Sequence, residues 1–370
     1  MVVYAVDDPA QIPYYDILNE VPHLTVGVCP LRASDFDGNF VKFYTEKIQA
    51  LGPVDRLIID DFTEARPLHE IDQLIDNLIA ICNISRNNIV YIDGGEYASR
   101  TVISYPTFYS LTEFRLLKYE KDTVIPWEHR DKLLLSLCRR PTWFRIAFTE
   151  ELIKRDLLDY SVVSCGSSLE SNSDGWINLF VSPELQHHFP FLVDGIISRQ
   201  QEAYLNERSF SRAFINVVSE TSHNPVPNST FNLDEHIAAD PNNRTPDGLH
   251  HWTRVFVTEK TTKAVAMRQI PIFNTVQHHV RLMRAMGMDL FDDIIDHSYD
   301  EIEDPTERIQ AVAAQVEQLY KRGHEYFRNI LRIQERLEHN VACINHQYKI
   351  RLQDAEHKIR EFLNHGHVTL

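Results

Sequence analysis

The apolar positions of this chain follow three successive patterns. From the N-terminus, short apolar runs at 2–6, 24–28, 54–60 and 89–92 alternate with helical spacing, clearest from Leu68 to Cys82. Short runs joined by helix-period segments predict parallel strands connected by helices. Near residue 125 the alternation restarts. Pro126-Trp127-Glu128-His129 reads as a linker, Lys132 to Leu137 as a strand, and Pro141 as the first turn of a helix ending near Asp156. Further strands are predicted at 160–164, 213–218, 255–257 and 270–273, with a helix opened by Glu259-Lys260 and continuing through Ala264-Val265-Ala266-Met267. The pattern predicts an α/β fold of two units with a boundary near 125–131.

Residues 222–254 interrupt the second unit with Pro225, Pro227, Pro241 and Pro246 among many Asn, Asp and His residues. A stretch this long without periodicity reads as a mobile surface insertion or a substrate lid. At the C-terminus, Ile330, Ile333, Leu337, Val341, Ile344, Tyr348, Leu352, Ala355, Ile359 and Leu363 repeat in steps of 3-4-4. That period suits a nearly straight helical seam. One helix over about 324–363 would be roughly 60 Å long. It would either pack on the body or join two copies as a homodimer.

Composition narrows the class. The chain has 370 residues, a soluble globular balance of apolar and charged residues, and a net charge of −16. Residues 321–360 carry nine Lys/Arg and five Asp/Glu, a net of +4 within the acidic whole. Lys321, Arg322 and Arg328 are the candidates there for contact with a polyanion such as DNA. The five cysteines are scattered without a C-x-x-C pair, which fits a reducing compartment. The opening residues lack the basic flank and apolar core of a signal peptide, and no apolar run approaches the roughly 18 residues that span a bilayer. The expectation is a cytoplasmic protein with no membrane partner.

The candidate chemistry lies at predicted strand ends, where parallel α/β sheets bind ligands. Arg139, Arg140 and Arg145 surround a helix start, where backbone amides and guanidinium forks bind phosphate. Ser164 closes the next strand, and Glu220 follows Val218-Ser219. Thr258, Glu259 and Lys260 open a helix; a Glu there suits ribose hydroxyls and a Lys suits phosphates. In the first unit Asp61, Asp93 and Glu96 end strands, and a carboxylate so placed can deprotonate an acceptor hydroxyl. For any one of them a helix cap or turn is the competing reading. No G-x-G-x-x-G follows a strand, which argues against a nicotinamide dinucleotide. The His pairs lack the spacing of a helical zinc site, and no residue pattern requires a metal.

Ser219-Glu220-Thr221, Thr258-Glu259-Lys260-Thr261, Asp300-Glu301-Ile302-Glu303-Asp304-Pro305 and the Arg139, Arg140, Pro141, Arg145 segment resemble a group of glycosyltransferases common in tailed bacteriophages and marine microbes. The Glu-Lys part is similar to the donor motif of α-1,3-fucosyltransferases. The resemblance covers about residues 130–320 and departs from the phage pattern at Ala264, where a Pro is usual, and at Asn274 to His279, where a Gly-rich turn is usual. It implies a GT-B-like fold of two facing Rossmann-like domains plus a long C-terminal helix. The acceptor domain would be 1–128, the nucleotide-sugar domain 129–304 with the 222–254 insertion, and the helical region 305–370. It implies a UDP- or GDP-linked sugar as co-substrate, no metal, and transfer to a hydroxyl. For a viral protein that hydroxyl would belong to a 5-hydroxymethylated pyrimidine in phage DNA, in the host cytoplasm. A glycan or lipid-linked acceptor, and a non-enzymatic nucleotide-binding scaffold, are the other expectations.

Overall fold

The computed structural model describes residues 2–4, 14–30, 48–61, 68–94, 102–106, 124–138, 142–166, 181–189, 211–220 and 257–368. The 222–254 insertion lies outside them. The chain forms two compact α/β units. The described residues up to 106 and those from Tyr348 onward make unit 1, and those from 124 to 220 and from Val257 to Gln347 make unit 2.

Unit 1 is built on β1 (Val2–Tyr4), β2 (Val26–Pro30), β3 (Arg56–Asp61), β4 (Ile89–Asp93) and β5 (Val102–Ser104), parallel and in the order β1-β2-β3-β4-β5. A short helix, α1 (Tyr15–Leu18), precedes β2, and α2 (Leu68–Cys82) links β3 to β4. Successive strand side chains point to opposite faces, and both faces here are apolar. Leu57, Ile59, Ile89 and Tyr91 pack under Ile71, Leu74, Ile75 and Leu78 of α2. Val26, Ile58, Val90, Ile92 and Ile103 pack against Ala355, Ile359, Phe362 and Leu363. Coverage on both faces is what a parallel sheet requires, and it explains the continuous apolar runs in the sequence.

Unit 2 holds β6 (Lys132–Cys138), β7 (Ser161–Cys165), β8 (Ala213–Val218) and β9 (Ile270–Phe273), parallel and in the order β7-β6-β8-β9. Its helices are α3 (Trp143–Lys154), α4 (Glu259–Ala266), α5 (His279–Ala285), α6 (Pro305–Arg328) and the first half of α7 (Ile333–His365), whose second half belongs to unit 1. Arg130, 1% exposed, braces the N-terminal end of this sheet. Its Nη1 donates to Ala213 O at 2.8 Å, its Nη2 to Met267 O at 2.9 Å, and its guanidinium lies 4.8 Å from the Trp127 ring. Burial lowers its pKa to about 9.

Three sequence expectations are corrected. Pro126 to His129 is not a free linker, because Trp127 is buried in unit 2 and its indole N–H donates to Phe327 O at 2.7 Å. Of the strand expected at 255–257, residues 255 and 256 lie outside the described residues, and Val257 itself has no strand pairing. The single helix over 324–363 is two helices: α6 ends at Arg328 and α7 starts at Ile333 across a turn in which Arg332 has φ 57°. The 3-4-4 residues from Ile333 onward face the chain's own interior, with Leu337, Ile344, Ala355, Ile359 and Leu363 buried. These positions are therefore packed within the chain.

Candidate functional site

Parallel sheets bind ligands beyond their strand C-termini where the strand order reverses. Sheet order in unit 1 runs without reversal. In unit 2 it reverses at β6, which has β7 on one side and β8 on the other, so the crevice between the ends of β6 and β8 is the favoured position.

Two cations meet there. Arg145, in the first turn of α3, is 5% exposed, and its Nη2 donates to Ser219 O at 3.0 Å just past β8. The next residue, Glu220, is fully buried, and Lys260 Nζ lies 3.8 Å from its Oε2. Asn274, just past β9, joins them: its backbone N–H donates to Val218 O at 2.9 Å and its Nδ2 to Ser219 Oγ at 3.1 Å. Asn274 was not singled out from the sequence. A polar residue directly after an apolar strand was the available signal.

Two helix N-termini open at this edge, and they differ. The start of α4 is filled by an internal anion. Glu220 Oε1 accepts from Thr258 N at 2.9 Å, Thr261 N at 3.3 Å and Thr261 Oγ1 at 2.6 Å, while its Oε2 accepts from Thr258 Oγ1. Thr258 is also the N-cap, accepting from Lys260 N at 3.3 Å. At α3 the N-cap Thr142 makes no side-chain capping bond, and its buried hydroxyl has no hydrogen-bond partner among the described residues. The two starts therefore differ in their side-chain capping: α4 is capped by Thr258 and Glu220, whereas Thr142 caps α3 through no side-chain bond among the described residues.

The other expected residues are placed as follows. Arg139, Arg140 and Glu96 lie outside the described residues, and Glu259 is the first residue of α4, its side chain likewise outside them. Ser164 is in register with Leu137 of β6. Its neighbour Cys165 faces Thr149 and Arg145 of α3, so alternation turns Ser164 to the opposite face and away from Arg145. In unit 1, Asp61, Asp93 and Ser104 fall in one register line across β3, β4 and β5. Asp93 is fully buried, and buried Asp60, on the opposite face of the sheet, accepts a 2.7 Å hydrogen bond from Tyr14 Oη.

Lys321, Arg322 and Arg328 are each engaged on α6. Lys321 pairs with Glu317 at 2.5 Å, Arg328 with Glu325 at 2.7 Å, and Arg322 lies 4.8 Å from the Tyr326 ring while donating to its hydroxyl. The Asp300 to Pro305 segment serves as two helix caps. Asp300 accepts from Val280 N and Arg281 N, both at 3.0 Å, and Asp304 accepts from Thr306 N and Glu307 N, both at 2.8 Å. Arg308, its pKa lowered to about 10 by burial, holds the loop after β9 through Thr275 O at 2.9 Å. His278, Asp300 and Glu301 bring potential metal-ligand atoms within 4.8 Å of one another, but both Asp300 oxygens already cap α5.

Searches against family profiles, curated proteins and solved structures each return no match to this chain. Among the described residues no helix is long and apolar enough to cross a membrane.

Proposed function

We propose that this chain is a metal-independent glycosyltransferase of GT-B type that binds its nucleotide-sugar donor on unit 2. The observation carrying this reading is the convergence of Arg145 and Lys260 on consecutive residues, Ser219 and Glu220, at the strand-order reversal. An Arg from the first turn of α3 and a Lys from the first turn of α4, both engaged with the residues that follow β8, suit the diphosphate of a nucleoside diphosphate sugar. As the bond from the sugar's anomeric carbon to the phosphate oxygen breaks, they stabilise the departing diphosphate. The acceptor oxygen bonds to the same carbon as its proton passes to a carboxylate base, for which Asp93, Asp61 and Glu96 are the candidates. Glu259 remains assigned to the ribose hydroxyls.

The ion pairing of Lys321 and Arg328 favours a glycan or lipid-linked sugar over phage DNA as acceptor, because both cations already face carboxylates.

Thermal denaturation with UDP, GDP and CMP and their sugars tests the donor site. At about a hundredfold excess over Kd one of them should stabilise the protein by about 2.7 kcal/mol, and Lys260→Ala should abolish most of that gain. The absence of stabilisation by any nucleotide, together with no sugar transfer to glycan or hydroxymethylated DNA acceptors, would leave the scaffold reading standing.

A further inference from the structure

Glu220 was expected to touch the donor, and its surroundings indicate a different task. Its carboxylate is 0% exposed and accepts from two backbone amides and two hydroxyls of Thr258 and Thr261. Thr258 Oγ1, having donated its proton to Glu220, accepts from Lys260 Nζ at 3.0 Å. A relay therefore runs from the carboxylate through one hydroxyl to the ammonium. Residues before and after the long 221–256 segment are joined by the same bonds.

We propose that Glu220 is a positioning residue that acts through Thr258: it fixes the start of α4 and aims the Lys260 ammonium at the donor's phosphates without touching the donor. This rests on the donor-site reading above. A carboxylate is an acceptor only, so every donor around it is oriented towards it, and the Thr258 hydroxyl is left one way to face Lys260. Glu220→Gln keeps the shape but puts an NH2 group among these donors. Thr258 must then accept from the amide or meet it with a proton, and Lys260 Nζ loses both the orientation of the hydroxyl it donates to and the carboxylate charge 3.8 Å away.

The test compares wild type, Glu220→Gln, Thr258→Val, Lys260→Ala and Glu220→Gln/Lys260→Ala as full chains. Calorimetry reads the Kd for a nucleoside diphosphate and for its parent nucleoside. Glu220→Gln and Thr258→Val should each weaken the diphosphate about tenfold and leave the nucleoside unchanged, and the double variant should bind no more weakly than Lys260→Ala. Additive losses, equal loss of the nucleoside, or unchanged diphosphate binding in a folded Glu220→Gln would overturn the proposal. Acetic anhydride labelling of Lys260, followed by mass spectrometry, needs no nucleotide. Its rate should rise in Glu220→Gln and in Thr258→Val, and an unchanged rate in both sinks the positioning role. A wild type that binds no nucleotide while Lys260 labelling responds as expected would remove the donor reading alone.

Discussion

His279 is a buried titratable residue outside the candidate site. It is fully buried against Phe273, ring centroids 4.5 Å apart, and neither ring nitrogen has a hydrogen-bond partner among the described residues. Burial lowers its pKa from 6.5 to about 3. Between these values the unfolded chain binds a proton that the folded chain does not, so stability rises with pH there. This contribution is complete above about pH 6.5 and is lost as pH falls towards 3, with a slope of about 1.4 kcal/mol per pH unit. His279→Met, similar in size and without a titrating group, should lower the pH slope of the unfolding free energy from urea denaturation between pH 6.5 and 5 by about 1 kcal/mol per pH unit. The comparison cancels Asp300, whose pKa, raised chiefly by burial, works in the opposite sense. An equally steep fall in the variant would place the acid sensitivity elsewhere. At this scale residue type was legible and partner was not. Glu220 and Lys260 stood out at strand ends, but the two threonines that occupy Glu220 act across 38 and 41 positions of chain, a separation that no local spacing encodes.

At the scale of elements, periodicity succeeded where one face or both faces of an element meet apolar neighbours. The helix over 68–82 and the strands at 213–218 and 270–273 have the expected bounds. It missed β5, whose three residues are too few to carry a period, and it ran α6 into α7. The 3-4-4 count crosses their junction because Ile330 falls on the repeat while sitting in the turn, where the neighbouring Leu331 is 83% exposed. The signals for α6 were present: Asp304 as N-cap and Pro305 in the first turn. Within α6, Gly323 takes φ 71° and ψ 173° and bends the helix. That region is essentially reserved for glycine. A Cβ at this position would meet nothing within 4 Å, so the cost of Gly323→Ala is backbone strain alone. Strain of about 1–3 kcal/mol outweighs the roughly 0.4–1 kcal/mol that reduced unfolded-state freedom returns. The variant should lower the stability of unit 2 by about 1–2 kcal/mol in urea denaturation; a gain would mean that the bend is not required.

At the scale of the whole molecule, the charge pattern bears on whether the chain can meet a polyanion. The +4 read from residues 321–360 counts only the carboxylates inside that window. Folding brings carboxylates from outside it onto the same cations: Glu317 onto Lys321, Asp289 and Asp293 onto Arg336, and Glu20 onto Arg360. Exposed pairs of this kind contribute little to stability, yet each places a negative charge where a phosphate would have to bind. A sequence window cannot register partners that arrive from distant segments, which is why the strip looked like a polyanion surface. DNA affinity should therefore be weak and only mildly salt-dependent. Each phosphate neutralised contributes a slope of about −0.9 in log K against log salt, and fewer than about two are expected to be neutralised here on the same counterion-release basis. Fluorescence anisotropy with a hydroxymethylated duplex between about 50 and 200 mM salt reads that slope directly. Lys321→Glu/Arg328→Glu should leave sugar transfer to a small hydroxyl acceptor unchanged. A slope of about −4 or steeper that this double reversal abolishes would show that DNA displaces the internal carboxylates, and would return the acceptor assignment to hydroxymethylated DNA.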